Sequence, residues 1–334
     1  MKRWNVPPEK RKYYIMAHEL EMIGDNASMA YAGELPWHGL GTKVPSDLTP
    51  VQMLEAANLD WEVERIQAYA NIGGVATPIG KQALVRTSDN KMLDVISDDW
   101  CPMQNLAAFE FFNDFITAGD MEMHTAGSLK GGKIVWALAK INESFTVNGK
   151  KDLVENYLLF TNPHSYGQSI DVRMTPTRVV CNNTLTLSLN ATSKNNVKVS
   201  HRNEFNADEV KETMGLASFK LAGYAERAEF LANKRYSNED VVTYFNRVFP
   251  SLSSKTVDTV EAQSRAAKKA VEALHTQPGA ELSEGSFWSL YNTVTWMTNH
   301  DLGRNNDNRM QSLWYGNNKN VNQNAMNIAL EMAV

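Results

Sequence analysis

The segment YLLFTNPHSYGQSIDVRMTPTRVVCNNTLTLSLN, residues 157–190, decides the fold. Residues 157–161 are apolar and predict a strand that breaks at Asn162-Pro163, because proline fixes φ and restricts its predecessor. Residues 169–180 alternate between apolar and polar side chains, and this period of two predicts a second, half-buried strand. Leu185, Leu187 and Leu189 then fit either a strand or the first turns of a helix, and we expect the helix.

Charge distinguishes this part of the chain from the rest. The whole protein carries a net charge of -5, yet residues 172–203 contain no Asp or Glu. Their basic residues, beside His201, are Arg173, Arg178, Lys194, Lys198 and Arg202. A basic cluster on an acidic protein predicts a polyanion site. The alternative is a solvated surface whose carboxylate partners come from elsewhere in the fold.

A second candidate surface lies near the C-terminus. Residues 299–324 hold nine Asn together with basic and aromatic side chains. These basic and aromatic residues are Arg304, Arg309, Lys319, Trp314 and Tyr315. Such a mixture is typical of surfaces that contact phosphates and stack on bases. An Asn-rich loop that is ordered by its own hydrogen bonds from side chain to backbone explains the composition equally well.

Several motifs carry a resemblance to a known family. PTRVVCNNTL at residues 176–185 resembles the core motif of the phage/plasmid-like family known as domain of unknown function 932. Further pieces follow in the family's order: MAHEL at 16–20, LPWHGLG at 35–41, YNTVTW at 291–296 with His300, and WYG at 314–316. The resemblance therefore runs from Met16 to the C-terminus. It implies an origin in a phage, prophage or plasmid and little about chemistry.

Two departures from the family pattern fall near the C-terminus. Thr295-Trp296-Met297 replaces an acidic-aromatic step, and Asn299-His300-Asp301 reverses the usual order of acid before histidine. A role that depends on an Asp-His pair at this point is therefore in doubt.

Outside the central segment, periodicity predicts a succession of short elements. We expect a helix that starts at Thr49-Pro50, a strand over 61–69, a hairpin of 82–87 with 92–97, and one helix over 105–118 that Asn105 caps. Two strands follow within 122–141 around Gly131-Gly132, and a longer connection over 142–155 leads to the central segment. These strands predict an antiparallel meander.

After Asn206 the composition becomes helical, with helices expected over 207–236, 238–249, 256–274, 286–299 and 320–333. The predicted fold class is therefore α+β: an antiparallel β-meander packed with helices, followed by a mainly helical C-terminal half. The predicted organisation is an extension over 1–15, a core domain over 16–205 and a helical region over 206–334.

Composition excludes some classes of protein. Apolar residues make up 43% and charged residues 21% of the chain, which is ordinary for a globular protein. No segment approaches the run of about 18 apolar residues that a membrane-spanning helix needs. Two cysteines make no disulfide framework, and residues 1–15 lack the apolar core of a secretory signal. We expect a location in the cytoplasm of a bacterial host.

Catalytic signals are weak. Residues 127–133 resemble a phosphate-binding P-loop, but Ile134 stands where Ser or Thr must bind magnesium, so this interpretation is rejected. Asp94, Asp98 and Asp99 could hold a divalent metal, although a turn rich in Asp is the commoner meaning. Cys181 with His164 or His201 is a conceivable nucleophile and base. We predict no catalytic residue, no metal site and no cofactor.

Three functions remain. The first is binding or annealing of single-stranded DNA in recombination or replication, by a homo-oligomer that uses the basic residues named above. The second is a module for protein interaction or for countering host defence, and the third is a metal-dependent nuclease. Two structural expectations accompany them. Pro176 must shift the strand phase if Arg173 and Arg178 share one face, and Trp37 should be buried in the loop that also holds His38.

Overall fold

A computed structural model describes residues 20–33, 36, 39–149, 152–178, 183–184, 196–251, 264–303 and 309–334. For residues 178, 183–184, 196, 215–222, 310–311 and 315 it describes the backbone alone. Trp37, His38, Cys181, Lys194, Arg304 and the leucines at 185, 187 and 189 lie outside these ranges, so the predictions for them stay predictions.

The strands of the described chain fall into three sheets. In chain order they are β1 (Met22–Ile23), β2 (Asn26–Ala27), β3 (Met29–Ala32), β4 (Thr42–Val44), β5 (Val63–Ile72), β6 (Val75–Arg86), β7 (Lys91–Ile96), β8 (Met121–Leu129), β9 (Ile134–Val147), β10 (Asp152–Pro163), β11 (Ser169–Arg178), β12 (Asn183–Thr184) and β13 (Asn196–Ser200). The helices are α1 (Pro50–Ala56), α2 (Asn105–Glu110), α3 (Asn113–Thr117), α4 (Ala207–Asn233), α5 (Asn238–Val248), α6 (Arg265–Ala273), α7 (Phe287–His300), α8 (Arg309–Tyr315) and α9 (Asn317–Met332).

The main sheet has the order β12-β11-β10-β9-β8-β3-β4, and β13 also pairs with β11. Strands β8 to β11 are consecutive in the chain and pair antiparallel, which confirms the predicted meander. β9 starts at Ile134, directly after the turn that resembled a P-loop, so no helix starts there. The strands β5, β6 and β7 form a separate antiparallel sheet, in which the pairing of β6 with β7 confirms the predicted hairpin of 82–87 with 92–97.

The two faces of the main sheet pack against different partners. Along β10, Leu158 and Phe160 enter the core that α1 and α2 share with the small sheet. Leu159, between them, enters a cluster with Trp136 and with Trp314 of α8. This alternation is the period of two that the sequence shows, so the sheet separates two hydrophobic cores.

Two predictions for the sheet half are wrong. The single helix over 105–118 divides into α2 and α3. Asn105 does not cap it, because Gln104 occupies the cap position, and the Gln104 side chain makes no capping hydrogen bond. At the division Phe111 and Phe112 are both buried, with their rings 5.6 Å apart. Consecutive positions of one straight helix face different directions, so the division lets both rings reach the core.

The expected long connection over residues 142–155 is also wrong. β9 continues to Val147 and β10 begins at Asp152, and these two residues pair, so only four positions separate the strands in sequence. A bulge between Glu155 and Asn156 interrupts the register, which obscures the alternation in this part of the sequence.

The helical half is organised around α7. Its residues Trp288, Tyr291 and Val294 are fully buried, and α4, α5, α6 and α9 contribute to the same core. The predicted helix starts at Thr49-Pro50 and at residue 238 are confirmed, and the structure adds a reciprocal capping box at Thr49 of α1 and at Ser237 of α5. The alternative of an Asn-rich loop does not hold for most of residues 299–324, since α8 and α9 occupy this part of the chain, and the helix predicted over 320–333 belongs to α9.

Buried amides explain why the Asn-rich segment is ordered as helix. The Asn318 side chain donates to the Thr298 carbonyl at 2.8 Å, and the Thr298 hydroxyl donates to the Asn322 side chain at 2.7 Å. These bonds tie α9 to α7. The fold is thus α+β, as predicted, with helices concentrated in the C-terminal half. Across the described residues, no helix is both long and apolar enough to cross a membrane.

Candidate nucleic-acid interface

Strand β11 carries two of the predicted basic residues, Arg173 and Arg178. It pairs with β10 without a register shift from Asp171 to Arg178. The predicted phase shift at Pro176 is therefore wrong. On a regular strand, positions 173 and 178 are separated by an odd number and belong to opposite faces of the pleat. The backbone gives no support for a site that these two residues share on one face.

Arg173 is neutralised inside the protein. Its guanidinium donates to both carboxylate oxygens of Asp171, with Nε–Oδ1 at 2.6 Å and Nη2–Oδ2 at 2.5 Å. Nη1 donates to the carbonyl of Trp314 near the C-terminal end of α8. Arg173 is 8% exposed and Asp171 is 1% exposed. The bidentate geometry is that of a strong, charge-assisted pair. Arg173 therefore has a structural role, in which it links β11 to α8.

The predicted aromatic contact is also internal. Trp314 is buried, and its ring packs edge-on against Trp136 of β9, with the centroids 5.4 Å apart. Arg309, at the start of α8, is buried too, and burial lowers its pKa. Neither side chain presents the exposed surface that stacking on a base requires.

Lys198 and Lys319 remain close to this buried pair. Lys198 of β13 stands directly across from Asp171 of β11, on the same face as Arg173, and is exposed. Lys319, in the first turn of α9, is half-buried. Burial lowers the pKa of Lys319, and the charges of Arg173 and Lys198 lower it further, while Asp171 opposes them. Three cations from β11, β13 and α9 therefore face one carboxylate.

The start of α9 adds to this positive potential. Gly316 occupies the cap position and makes no side-chain capping bond, and the first turn contains no acidic residue. The backbone N–H of Asn318 donates to the Ser312 hydroxyl oxygen at 3.1 Å. Since the N-terminal end of a helix carries a partial positive charge, it reinforces Lys319. We call Arg173, Lys198, Lys319 and this first turn the cationic corner.

Arg202 lies apart from the cationic corner. Its guanidinium makes an ion pair of 3.0 Å with Asp99, and both side chains are more than half exposed. Such an exposed pair contributes little to stability. The side chain of Arg178, together with Lys194 and Arg304, falls outside the part of the chain that the structure describes.

The carboxylates proposed for a metal have other contacts. Asp94 accepts from the Tyr166 amide at 2.9 Å, Asp98 accepts from the Gln82 side chain at 3.1 Å, and Asp99 accepts from the Ser97 hydroxyl. The described residues contain no group of three or more His, Cys, Asp or Glu side chains arranged to hold a metal ion.

The two histidines considered as bases are both buried. His164 contacts the Asn105 side-chain oxygen through Nε2 at 2.9 Å, and burial lowers its pKa to about 3. His201 stacks on Trp100, and its Nδ1 lies 3.1 Å from the Cys101 carbonyl. His201 also lines a cavity of about 470 Å³ beside Cys101 and Phe111. The imidazoles are thus engaged with an amide and a backbone carbonyl.

Sequence reasoning missed one member of the cationic corner and one large surface. Lys319 was noted only within the Asn-rich segment, and the signal that identifies it is the helix start after Gly316. The sequence predicted a strand over 61–69 and another from 82, but not the long exposed hairpin of β5 and β6, in which residues 66–80 lack any charged side chain.

These features define an α+β protein with a main sheet that is covered on both faces, a helical half, and a cationic corner where β11 and β13 meet α9. The chain belongs to the family described as Domain of unknown function (DUF932), whose model matches residues 92–314. This match confirms the family over residues 92–314, whereas the motifs at 16–20 and 35–41 lie outside the matched range. Searches of curated proteins and of solved structures yield no match to the chain.

Proposed function

We propose that the protein binds nucleic acid, with single-stranded DNA favoured, through phosphate contacts at the cationic corner. The observation that carries this proposal is Lys319, a half-buried lysine held near two further cations. No described carboxylate makes an ion pair with Lys319 or Lys198 within 4.0 Å. A bound phosphate would supply the negative charge that this arrangement lacks.

The partial burial of Lys319 favours a flexible ligand, because only part of its side chain can be reached from solvent. A duplex is stiff over about 150 base pairs, whereas a single strand bends locally at small cost. Because Trp314 is buried, we attribute binding to phosphates and expect little base preference.

A role in annealing or recombination extends this proposal. One corner offers few phosphate contacts, so the protein would act along a strand as several copies, each with a modest site. A phage or plasmid origin and a place in a bacterial cytoplasm belong to the same proposal.

The test is a salt series of binding to a labelled single strand and to its duplex. The variants are Lys198→Ala and Lys319→Ala, and the matched control is Lys43→Ala. Lys43 is exposed on β4, at the opposite end of the main sheet. We expect each corner variant to lower the slope of log affinity against log salt by about 0.7 for a single strand, and the control to leave it unchanged.

Two results would overturn the proposal. One is the absence of binding to either strand at low salt, where electrostatic attraction is strongest. The other is an equal loss of slope in Lys43→Ala and in the corner variants, which would indicate attraction spread over the whole surface.

A second candidate function is protein interaction, and one observation favours it. The hairpin of β5 and β6 is exposed and apolar, as surfaces for protein partners are. The same salt series separates the candidates, because apolar association depends little on salt.

A further inference from the structure

The hairpin of β5 and β6 extends away from the rest of the protein. No residue from 64 to 83 is buried. By contrast, Val63 at its base is 4% exposed and Leu84 is fully buried, and both belong to the core under the main sheet. We call residues 64–83 the arm.

The arm is apolar to an unusual degree. The described chain has 14 exposed large hydrophobic side chains, and seven of them belong to the sheet of β5, β6 and β7. They are Ile66, Tyr69, Ile72, Val75, Ile79, Met92 and Val95. Single exposed hydrophobic residues are ordinary, but a concentration of them marks a contact surface.

Both faces of the arm carry such side chains. Ile72 and Val75 are a cross-strand pair beside the turn at Gly73-Gly74, and they are 61% and 66% exposed. Tyr69 pairs with Pro78 and is 58% exposed. Tyr69 and Ile72 are three positions apart, so they belong to opposite faces of the strand.

The outer edge of β5 is open. Within the described chain β5 pairs only with β6, and β6 separates it from β7. At the base of the strand, the Gln104 side chain bonds to the amide and carbonyl of Val63, at 3.0 and 2.8 Å. Proteins commonly protect such edges with charged residues, especially lysine. Residues 66–80 contain none.

We propose that the arm joins two copies of this chain through antiparallel pairing of β5 with β5 of the second copy. A two-fold interface brings each residue near the axis close to its own counterpart, so any charge there repels itself. Residues 66–72 of β5 carry no charge, so pairing centred on this part of the strand avoids the repulsion. Pairing also satisfies the backbone groups of the open edge, which insertion into lipid leaves unsatisfied. The joined sheet has six strands.

The proposal is independent of the proposed nucleic-acid function. The arm, residues 64–83, lies outside the part of the chain that the family model matches, residues 92–314. The cationic corner is on the main sheet and the arm is on the small one, so each can be altered while the other is intact.

The test is the mass in solution, by light scattering after size exclusion over a concentration series. The variants are Tyr69→Lys and Ile72→Lys, which place a lysine at the open edge. Leu106→Lys on α2 is the control, since Leu106 is also exposed, at 46%. We expect the wild type and the control to reach twice the chain mass of 37.4 kDa. Both arm variants should remain at the single mass and still unfold in one cooperative transition, because the replaced side chains are exposed in the single chain.

Three outcomes would overturn the proposal. A wild type that keeps the single mass at every concentration contradicts pairing. A doubled mass that both arm variants retain contradicts it as well. In the third outcome a monomeric wild type co-sediments with neutral phosphatidylcholine vesicles and the arm variants do not, which identifies lipid as the occupant. Binding of single-stranded DNA by the monomeric arm variants is measured in parallel, so a failure of either proposal is visible separately.

Discussion

The Arg173 guanidinium and the Asp171 carboxylate form a bidentate ion pair between residues only two positions apart on β11. Positions two apart share a face of the sheet, and here α8 covers that face. The charge of Arg173 is therefore neutralised by Asp171, a residue of the same strand. The cations of the cationic corner that remain for a ligand are Lys198 and Lys319.

The first prediction concerns the stability of this pair. Arg173→Met leaves the Asp171 carboxylate buried beside an apolar side chain, and we expect a loss of about 3–5 kcal/mol in the free energy of unfolding. The double variant Asp171→Leu with Arg173→Met removes both charges and should recover most of that loss. Urea unfolding of the three proteins measures both quantities. Equal losses in the single and double variants would show that packing, and not the unpaired charge, dominates.

The neutralising partner of Arg173 was within reach of the sequence. The acid-free stretch was counted from residue 172, and Asp171 stands immediately before it. Because the strand and its alternation were predicted correctly, Asp171 and Arg173 could have been placed on one face. What the sequence does not contain is the approach of α8 and α9 to this face, since it depends on contacts such as Trp136 with Trp314.

The second prediction concerns how the helical half is attached to the sheet. Trp288 of α7 donates from Nε1 to Asp152 of β10 at 2.9 Å, and both residues are fully buried. Trp288→Phe withdraws a donor from a buried carboxylate, which costs about 1–3 kcal/mol beyond the loss of packing. Trp136→Phe is the matched control, because the buried Trp136 Nε1 makes no hydrogen bond to a described residue. Thermal unfolding should give a lower Tm for Trp288→Phe than for Trp136→Phe.

The predictions that hold depend on residues close together in the chain, and those that fail depend on contacts between distant residues. The meander and the starts of α1 and α5 depend on neighbouring residues, and both were predicted. The division between α2 and α3 depends on Phe111 meeting Phe160 and Phe205, which are distant in the chain. Likewise, hydrogen bonds of the Asn318 and Asn322 side chains hold α9 against α7, and composition alone does not specify them.

The third prediction concerns stability in acid. Hydrogen bonds from the Arg86 guanidinium hold the pKa of Asp89 at about 2, below its ordinary value of 3.8. The folded state therefore binds the proton less readily than the unfolded chain does. The stabilisation is complete above the ordinary pKa and is lost as the pH falls from 3.8 toward 2. Asp89→Asn should flatten the pH dependence of the unfolding free energy in this window.

The control for that measurement is Asp47→Asn. Asp47 is an exposed residue for which the structure describes no ion pair. We expect its variant to keep the acid dependence of the wild type. If Asp89→Asn also keeps it, the contact between Arg86 and Asp89 does not contribute to stability in solution.

The last prediction joins the protonation of Lys319 to binding. Burial and the nearby cations lower the pKa of Lys319 in the free protein. A bound phosphate favours the charged ammonium, so binding is accompanied by proton uptake, and affinity should fall as the pH rises through the lowered pKa. Affinity for a labelled single strand at constant salt, measured from about pH 7 to about pH 10, records this fall.

Lys319→Arg keeps its charge over that range and should bind with little dependence on pH, whereas Lys319→Gln should bind weakly throughout. Lys43→Gln should keep the pH profile of the wild type, because it lies at the far end of the sheet. If Lys319→Arg loses affinity with pH as steeply as the wild type, another group titrates and Lys319 does not contact the phosphate.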